Sequence, residues 1–539
     1  MIRSLRLSGN SLGGTAGGFS VAMPSYGNRR RLSRVVANRD TVTVSGKAKR
    51  HGKNADLVAI ESIVTLDDLH QALRRNQITE LRVGWKDSDF LQSFRAIKIL
   101  ERGLSVNTSV TSVSIGWRFR NKNVLIRLLR ALTRHGETLK HLQIVFQHHT
   151  WLPEHILRNL LAQQTKLESI DFHNMCVLRK VSPVPGTACQ FCCSENDAWL
   201  EVDKIGNCVA DTVTGKSGKK RCDGRHCVIS RVLIHLHNHQ ELKSIQLVDC
   251  FISDDEARRL ADFLHIRGGI AKLSLRGNAR FLGAAGLKAI CQAPIMDRLD
   301  LSLCNLGTED AIIVAKSVAK RPWPLQELLL CGNYRIDLPG LLALTKQSCC
   351  NKLNGLNISF CDIGQSKACH VMKSLQELDR STPLRQISMQ GIPVGDEHVA
   401  EAIGELLKQN TSLRVVKLNY PGNFVAVASP ELAFVLEGMR HNYEVEELRL
   451  VDSRPLCDVE YKLRKDIDFF VKLNRAGRRV FLQKAPASLG SGAPASSKPT
   501  NSDSEWLEVL EKAGEDLDVL FWIVKKGAER FHRSGRVNY

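Results

Sequence analysis

The sequence predicts an α/β solenoid of about twelve stacked strand–helix repeats that share one continuous core and one curved parallel sheet. Three observations support this fold class. The apolar pattern L-x-x-L-x-L, with Ile, Val, Met or Phe in place of some leucines, recurs along the chain. Ten of the eleven spacings between copies fall between 26 and 32 residues. Each copy is followed by residues with helical periodicity, and a single strand–helix unit cannot bury its apolar face alone.

The first segment of the chain, residues 1–53, is predicted to be a basic disordered arm. It holds 11 Lys and Arg residues but one acid, Asp40, and contributes +10 to the net charge of +20. It is rich in Gly and Ser and cannot bury enough apolar surface to order itself. Besides a solvated tail, the composition fits a mitochondrial transit peptide, an arm for an acidic partner or nucleic acid, or a nuclear address at Arg29, Arg30 and Arg31. Residues 54–77 are predicted to form an N-terminal cap.

The repeat domain is predicted to span residues 78–455. Its twelve copies begin at Ile78, Val110, Leu139, Leu167, Leu242, Ile270, Met296, Leu325, Leu353, Leu384, Leu413 and Val445. Side chains alternate along a strand, so the leucines that end each L-x-L should face the core and the residue between them should face outward. These outward residues are Arg82, Ser114, Gln143, Asp171, Gln246, Ser274, Asp300, Leu329, Asn357, Ser388, Lys417 and Arg449.

The helical half of a repeat is clearest after Leu384. There Val399, Ile403, Leu406 and Leu407 share one helical face. Asp396 lies just before them and can accept a hydrogen bond from the first turn.

The ninth position of each copy carries a Cys/Asn alternation in the central repeats: Cys250, Asn278, Cys304, Asn333 and Cys361. At the end of a strand, Asn can bond loop backbone groups and a small buried Cys can pack beneath them. This pattern resembles the ribonuclease-inhibitor-like class of leucine-rich repeats over residues 78–453, and it fades toward both ends.

The resemblance implies a horseshoe with a parallel sheet inside and helices outside, in a class whose members usually bind proteins. That class includes the Ran GTPase-activating protein, which acts through an arginine and an asparagine on its repeats. We find no positions in this sequence that match those two residues, so the activity is not carried over.

The 75-residue spacing after Leu167 predicts an insertion at about residues 175–227. The insertion contains seven of the sixteen cysteines of the chain. Cys189, Cys192, Cys222 and Cys227 are candidate zinc ligands, with Cys208 and His226 also available. Free thiols or redox pairing are the alternatives, and the loop also carries a basic patch of five Lys and Arg residues between 216 and 225.

The C-terminal part is predicted to comprise a capping helix at 456–483, a linker rich in Ala, Ser, Pro and Gly at 484–504, and a short helical element at 505–532. The sequences LNRAGR and WLEVLEKAGEDLDVLFWIV resemble the tail of leucine-rich-repeat proteins in diatoms and related algae. The element is expected to dock on the capping helix, with peptide binding as the alternative.

The sequence lacks the phosphate-binding loop, nucleophile elbow, zinc-protease and kinase signatures, so no catalytic residues are predicted. His148 and His149 are interpreted as surface residues. His235 and His239 would share a face if they lay on one helix, where a metal site is possible and a polar surface is the simpler interpretation.

The predicted function is a non-enzymatic protein-interaction scaffold that binds through the concave sheet. The expected contact residues are Lys272, Arg276, Arg298, Asp300 and Glu327, and the excess of cations favours an acidic patch on the partner. The alternatives are a GTPase regulator and an RNA- or organelle-associated factor that uses the basic arm. The expected location is the cytoplasm or nucleus, or the mitochondrion if the arm is a transit peptide. No apolar run is long enough to span a membrane, and no cofactor is predicted beyond the possible zinc.

Overall fold

The computed structural model describes residues 42–45, 62–64, 70–83, 94–116, 122–178, 229–419, 430–451, 458–478 and 516–525, apart from a few single positions and one pair inside these ranges. The chain divides into two units, Met1–Arg39 and Asp40–Tyr539, and all described residues belong to the second.

The described strands form one sheet whose order follows the sequence from β3 to β14, with β1 and then β2 beyond β3. From β3 onward every pairing is parallel, and each of these twelve strands carries one copy of the repeated pattern. The predicted α/β solenoid is therefore confirmed. The strands are β1 Val42–Ser45, β2 Ser62–Val64, β3 Glu80–Val83, β4 Ser112–Ile115, β5 His141–Pro153, β6 Ser169–Leu178, β7 Ser244–Val248, β8 Ile270–Ser274, β9 Ile295–Asp300, β10 Leu325–Leu329, β11 Leu353–Asn357, β12 Gln386–Met389, β13 Val415–Asn419 and β14 Glu447–Val451.

Helices alternate with the strands, and helices of successive repeats pack against each other. They are α1 Phe94–Leu104, α2 Lys122–Arg134, α3 Glu154–Gln163, α4 Ile229–Leu233, α5 Asp254–Arg267, α6 Ala284–Gln292, α7 Thr308–Ala319, α8 Leu338–Thr345, α9 Gln347–Cys350, α10 Gln365–Gln376, α11 Glu397–Gln409, α12 Pro430–His441 and α13 Asp458–Arg475. One continuous apolar core lies between the sheet and the helices. None of the helices in the described ranges combines the length and apolar character needed to cross a bilayer.

The predicted strand phase is confirmed across the whole sheet. The twelve predicted outward residues pair with one another from strand to strand along the sheet, from Arg82 opposite Ser114 to Lys417 opposite Arg449. The flanking leucines are buried, as in β9, where Leu299 is fully buried. The helical prediction also holds, because Val399 lies fully buried and its amide donates to Asp396 Oδ1 at 3.2 Å.

The ninth-position residues tie neighbouring repeats together at the strand ends. Asn278 Oδ1 accepts hydrogen bonds from the amides of Cys250 and Ile252, each at 3.0 Å. Its Nδ2 donates to the carbonyls of Leu247 at 2.8 Å and Leu275 at 2.7 Å. The buried thiols at the ninth position also donate to backbone carbonyls: Cys304 Sγ donates to the carbonyl of Leu275 at 3.1 Å.

The opposite edge of the sheet, where helices end and strands begin, has its own set of buried polar side chains that donate to backbone carbonyls. Gln164 Nε2 donates to the carbonyl of Leu132 at 2.9 Å. Arg321 donates to the carbonyls of Cys291 at 2.7 Å and Ala293 at 2.9 Å. Other buried members are Asn107, His135, His239, Asn410, Asn442 and Asn474, and the half-buried Arg267 has the same role.

The prediction that His235 and His239 share a helical face is wrong. The helix α4 ends at Leu233, and a single 3-10 turn follows to Leu236. His239 therefore leaves the helix and turns inward, where it is 2% exposed and its Nε2 lies 3.0 Å from the carbonyl oxygen of Leu161. Burial lowers the pKa of this imidazole.

The prediction of a disordered arm over residues 1–53 needs a correction at Val42–Ser45. This segment is strand β1, antiparallel to β2 and to β3, with Val44 opposite Leu81. Its sequence, VTVS, contains β-branched residues that favour extended structure. The pairing satisfies backbone groups of β3 that would otherwise form an open sheet edge.

The insertion also begins later than predicted. Strands β5 and β6 are longer than the others and continue their pairing through Pro153 opposite Leu178, after a register shift between Val145 and Thr150. Residues 175–178, predicted as the start of the insertion, therefore belong to β6, and Met175 is fully buried. The rest of the predicted insertion lies outside the described residues.

The C-terminal end of the core is covered by α13, in which Ile467 and Leu473 are fully buried. A second, small apolar cluster joins Leu473 and Ala476 to Val519 and Ile523 of the C-terminal segment. Arg478 connects the two clusters. Its guanidinium lies 4.7 Å from the ring centre of Phe470 and 5.9 Å from that of Trp522, and burial lowers its pKa to about 10. The predicted linker at 484–504 lies outside the described residues.

Candidate protein-binding surface

The outward face of the sheet consists of three parallel rows of side chains, one for each outward position of a strand. We call this surface, at its best-developed part in β8 to β10, the central concave face. Its first row is Lys272, Arg298 and Glu327, its second is Ser274, Asp300 and Leu329, and its third is Arg276, Ser302 and Cys331.

Strand pairing holds these rows in register. Lys272 is paired directly with Arg298, and Arg298 with Glu327. Arg276 lies two residues beyond Ser274 and therefore on the other side of the second row. The structure thus brings four of the five predicted contact residues, Lys272, Arg298, Asp300 and Glu327, onto adjacent positions and sets Arg276 across the row from Lys272.

The exposed charge of this surface is mainly positive. Lys272, Arg276 and Arg298 are all exposed. Arg298 Nη1 lies 3.4 Å from Glu327 Oε2, and such solvated pairs contribute little to stability. Within the described ranges, neither Lys272 nor Arg276 has a carboxylate within 4 Å. These two cations are therefore available to a partner.

Asp300 occupies its predicted place in the second row but is only 7% exposed. Ser274 Oγ donates to its Oδ2 at 3.2 Å, and the amide of Ser302 donates to its Oδ1 at 3.0 Å. The carboxylate is therefore occupied within the sheet, where it fixes the neighbouring strands, while the charge presented to solvent comes from the three cations.

Closer to the N-terminus, the same face carries a chain of hydrogen-bonded side chains. Ser114 Oγ donates to Gln143 Oε1 at 2.6 Å, and Gln143 Nε2 donates to Asp171 Oδ2 at 2.7 Å. His173 Nε2 lies 2.6 Å from Asp171 Oδ1. Because these polar groups already bond one another, this part of the face offers a partner fewer free groups than the central concave face does.

The candidate zinc ligands Cys189, Cys192, Cys222 and Cys227 lie outside the described residues, and the zinc site stays a prediction. Among the residues that the structure describes, no three His, Cys, Asp or Glu side chains are grouped so that they could hold a metal ion. Cys304 and Cys361 are free thiols, and burial raises the pKa of both to about 12. Thiols with such a pKa are inert, which agrees with a packing role.

Sequence reasoning missed one feature of this region. Three large apolar side chains, Leu303, Tyr334 and Phe360, are exposed just beyond the strand ends. For Leu303 and Phe360 the available signal was the eighth position of the central repeats, which alternates between a larger residue and glycine in step with the Cys/Asn alternation at the ninth.

Comparison with known proteins gives a partial match. No protein-family model matches the chain. Over 182 residues the chain is 27% identical to the ribonuclease inhibitor of Mus musculus, a stretch that covers 32% of this chain and 38% of the length of that relative.

Two solved structures are also similar. One is the leucine-rich repeat-containing protein LegL7 from Legionella pneumophila, with a TM-score of 0.34 and 14% identity over 67% of this chain and 90% of the other. The second is a chain from the complex of Rad7 and Elc1 in yeast, with a TM-score of 0.28 and 12% identity over 66% of this chain and 83% of the other. The resemblance of the C-terminal segment to algal proteins stays a prediction. The repeated fold and the match to the mouse inhibitor together support a ribonuclease-inhibitor-like leucine-rich repeat protein.

Proposed function

We propose that this protein is a non-enzymatic scaffold that binds an acidic surface of a partner protein through the central concave face. The observation that carries the proposal is the placement of Lys272, Arg276 and Arg298 as exposed cations in adjacent repeats. Solenoids use such extended inner surfaces for binding.

The rigidity of these repeats supports the proposal. The strands that carry the cations end in the Asn278 and Cys304 contacts, which fix each repeat to its neighbour. A side chain on a fixed strand loses little freedom when it binds, so more of its interaction energy remains as affinity. Charges at such a surface also accelerate association with an oppositely charged partner.

A ribonuclease partner, as the name of the mouse relative suggests for that protein, is not favoured by the charges of the central concave face. An enzyme that binds RNA presents cations to the phosphate backbone. Lys272, Arg276 and Arg298 would repel such a surface. We therefore propose an acidic partner.

Two alternatives use other parts of the chain. Nucleic-acid binding or organelle targeting would use the basic arm, which lies outside the described residues apart from β1. Regulation of a GTPase would require catalytic side chains, and no positions of this sequence match the arginine and asparagine of the GTPase activator. The arm alternative is tested by removing residues 1–39, a deletion that leaves β1 and its pairing with β3 in place.

The test is a pull-down from a lysate of the source cells, with captured proteins identified by mass spectrometry at low and moderate salt. Three proteins are compared with the parent: the triple reversal K272E/R276E/R298E, the deletion of residues 1–39, and a matched reversal K288E/K316E/K320E. Lys288, Lys316 and Lys320 are exposed on α6 and just after or within α7, in the same repeats but on the helical side.

We expect the parent, the deletion and the helical-side reversal to capture an acidic protein that the concave-face reversal does not capture. A partner lost with residues 1–39 and retained by the concave-face reversal would reject the proposal and assign binding to the arm. A captured nucleic acid that is released steeply by salt would favour the RNA alternative.

A further inference from the structure

Three exposed apolar side chains lie beyond the carboxyl ends of consecutive strands β9, β10 and β11. Leu303 is 38% exposed, Tyr334 63% and Phe360 41%. They come from three successive repeats, so they follow one another along the edge of the sheet. We call Leu303, Tyr334 and Phe360 the apolar ridge.

The backbone at two ridge positions adopts a conformation that large side chains rarely take. Leu303 has φ +58° and Phe360 has φ +56°, both in the left-handed region. Bulky residues there are uncommon. The same conformation recurs at Asp249, Phe251, Asn305 and Asp362, so it belongs to the turn of the repeat, and Leu303 and Phe360 are the positions where this turn presents an exposed large apolar side chain. In the alternate repeats the same eighth position is Gly277, Gly332 or Gly391, which accept positive φ without strain.

The alternation has a packing consequence. A Cβ atom on Gly332 would lie 2.4 Å from Leu303 Cδ2, so the Leu303 side chain occupies the space above this glycine, with Tyr334 Oη 4.0 Å from the same point. A Cβ atom on Gly391 would lie 3.0 Å from Phe360 Cδ1. Each large side chain thus leans over the glycine of the following repeat. Because adjacent strands lie about 4.8 Å apart and Leu303 leans over the intervening repeat, the side chains of Leu303, Tyr334 and Phe360 form one apolar row across three repeats.

Two cations without an ion-pair partner and two carboxylates that share one lysine lie beside the apolar ridge. Arg276 is exposed in the third row of the central concave face, one repeat before Leu303. Arg335 is exposed next to Tyr334. Neither arginine has an ion-pair partner among the described residues, whereas the exposed carboxylates of Asp337 and Asp362 lie 3.1 and 3.9 Å from Lys367 Nζ. The unpaired charge beside the ridge is therefore positive.

We propose that the apolar ridge binds a short acidic segment that carries a large apolar side chain. The apolar side chain contacts Leu303, Tyr334 and Phe360, and the flanking carboxylates pair with Arg276 and Arg335. Apolar and aromatic anchors surrounded by charged groups are the arrangement in which few residues carry most of the binding energy. This inference rests on the proposed function, since it supplies the apolar anchor of a surface whose cations select an acidic partner.

The probes are two labelled peptides composed of Asp, Glu, Ser and Gly, identical except for a central Phe in one and Ala in the other. Fluorescence anisotropy measures their dissociation constants for the full chain. We expect the Phe peptide to bind about tenfold more tightly than the Ala peptide, and this advantage to disappear in L303G, F360G and Y334S.

The glycine variants separate binding from folding. Glycine at φ above zero relieves backbone strain, so L303G and F360G should keep or raise the melting temperature. Y334S provides a second variant at a highly exposed position outside the strained set. Ile266→Ser is the matched control, because Ile266 is 79% exposed on α5, away from the ridge. It should leave both dissociation constants unchanged.

The outcomes distinguish the ridge from the proposed function. If the two peptides bind equally and both are lost from K272E/R276E/R298E, the ridge proposal is overturned and the cationic surface stands. If the dissociation constants of both peptides are the same for the parent, the ridge variants and the triple reversal, both proposals are rejected. If L303G and F360G lower the melting temperature, and Y334S still binds the Phe peptide more tightly than the Ala peptide, the ridge stabilises the fold and does not bind the peptide.

Discussion

The two edges of the sheet satisfy the same backbone requirement with different side chains. At the strand-carboxyl edge, five consecutive repeats use Cys and Asn at one fixed position. At the helix-carboxyl edge, Asn107, His135, Gln164, Arg267 and Arg321 perform equivalent work three or four residues before the next repeat begins, but the residue type changes from repeat to repeat. We call the first the fixed edge and the second the variable edge. Buried carbonyls must be paired at both edges. The first edge is constrained by a tight turn that admits few shapes, whereas the second accepts any donor that can reach.

Removing the amide at the fixed edge should have the largest effect. Asn278→Leu keeps a similar volume but removes the side-chain partner of two amides and of the Leu247 carbonyl, while the Leu275 carbonyl keeps the Cys304 thiol. We expect a loss of about 4 kcal/mol in unfolding free energy, because unpaired buried polar groups each cost about 1–3 kcal/mol. Urea denaturation followed by circular dichroism measures it. A loss below about 1 kcal/mol would show that the turn does not depend on this residue.

The variable edge should be nearly as sensitive at Arg321, its fully enclosed arginine. Arg321 is 2% exposed and donates to the carbonyls of Cys291, Ala293 and Ile295. We expect Arg321→Met to lower the unfolding free energy by about 3 kcal/mol. The loss of the hydrogen bonds is partly offset because the variant no longer buries a charge. Arg335→Met, an exposed arginine in the same region, should stay within about 0.5 kcal/mol in the same denaturation experiment.

A cysteine at the fixed edge should matter less than an asparagine. Cys304→Ala removes a weak thiol donor and leaves a small void, so we expect a loss of about 1 kcal/mol in unfolding free energy. The thermal midpoint of this variant should therefore lie between those of the parent and of Asn278→Leu. If Cys304→Ala destabilised the protein as much as Asn278→Leu, the two residue types could not have different roles at this edge.

The smallest expected effect tests whether members of the variable edge are interchangeable. His239→Gln places at this position the residue type that Gln164 uses in the preceding repeat, so stability at pH 7.5 should change by less than about 1 kcal/mol. Burial lowers the folded-state pKa of His239 below its ordinary value of 6.5. Its stabilising contribution is therefore complete above that value and declines as the pH falls below it.

The variant should consequently lose less stability than the parent when the pH is lowered from 7.5 to 5. Parallel thermal melts of the two proteins measure the difference. A steeper loss in His239→Gln would contradict the assignment of a buried neutral imidazole. His135, which is also buried at this edge, is kept unchanged in both proteins so that its contribution cancels.

The features that the sequence predicts and the features that it does not predict differ in the same way as the two edges of the sheet. The period-two alternation of the strands placed all twelve outward residues in one row, because a single residue of slip would have exposed every leucine. The Cys/Asn alternation predicted the strand-end contacts of Asn278 and Cys304. Both signals depend on fixed spacing, which a single sequence displays.

The missed features depend on residue types that vary from repeat to repeat or on contacts across the sheet edge. His239 lies three residues before the repeat that begins at Leu242, as Gln164 does before Leu167, but it was taken for a helical surface residue because the residue type at this position changes between repeats. Strand β1 was missed because VTVS lies within a basic segment and is ordered by its pairing with β3. The burial of Asp300 comes from its neighbours Ser274 and Ser302, which the alternation alone does not reveal.

The most direct test of the central concave face is the association rate constant of the partner identified by pull-down, measured for K272E/R276E/R298E and for the helical-side reversal K288E/K316E/K320E. Both variants carry the same change in net charge, so a general charge effect would slow them equally. We predict that the concave-face reversal slows association by about tenfold or more at low salt while the helical-side reversal stays near the parent rate, with melting temperatures unchanged in both. Equal rate constants for the two reversals would contradict the assignment of the binding surface to the sheet.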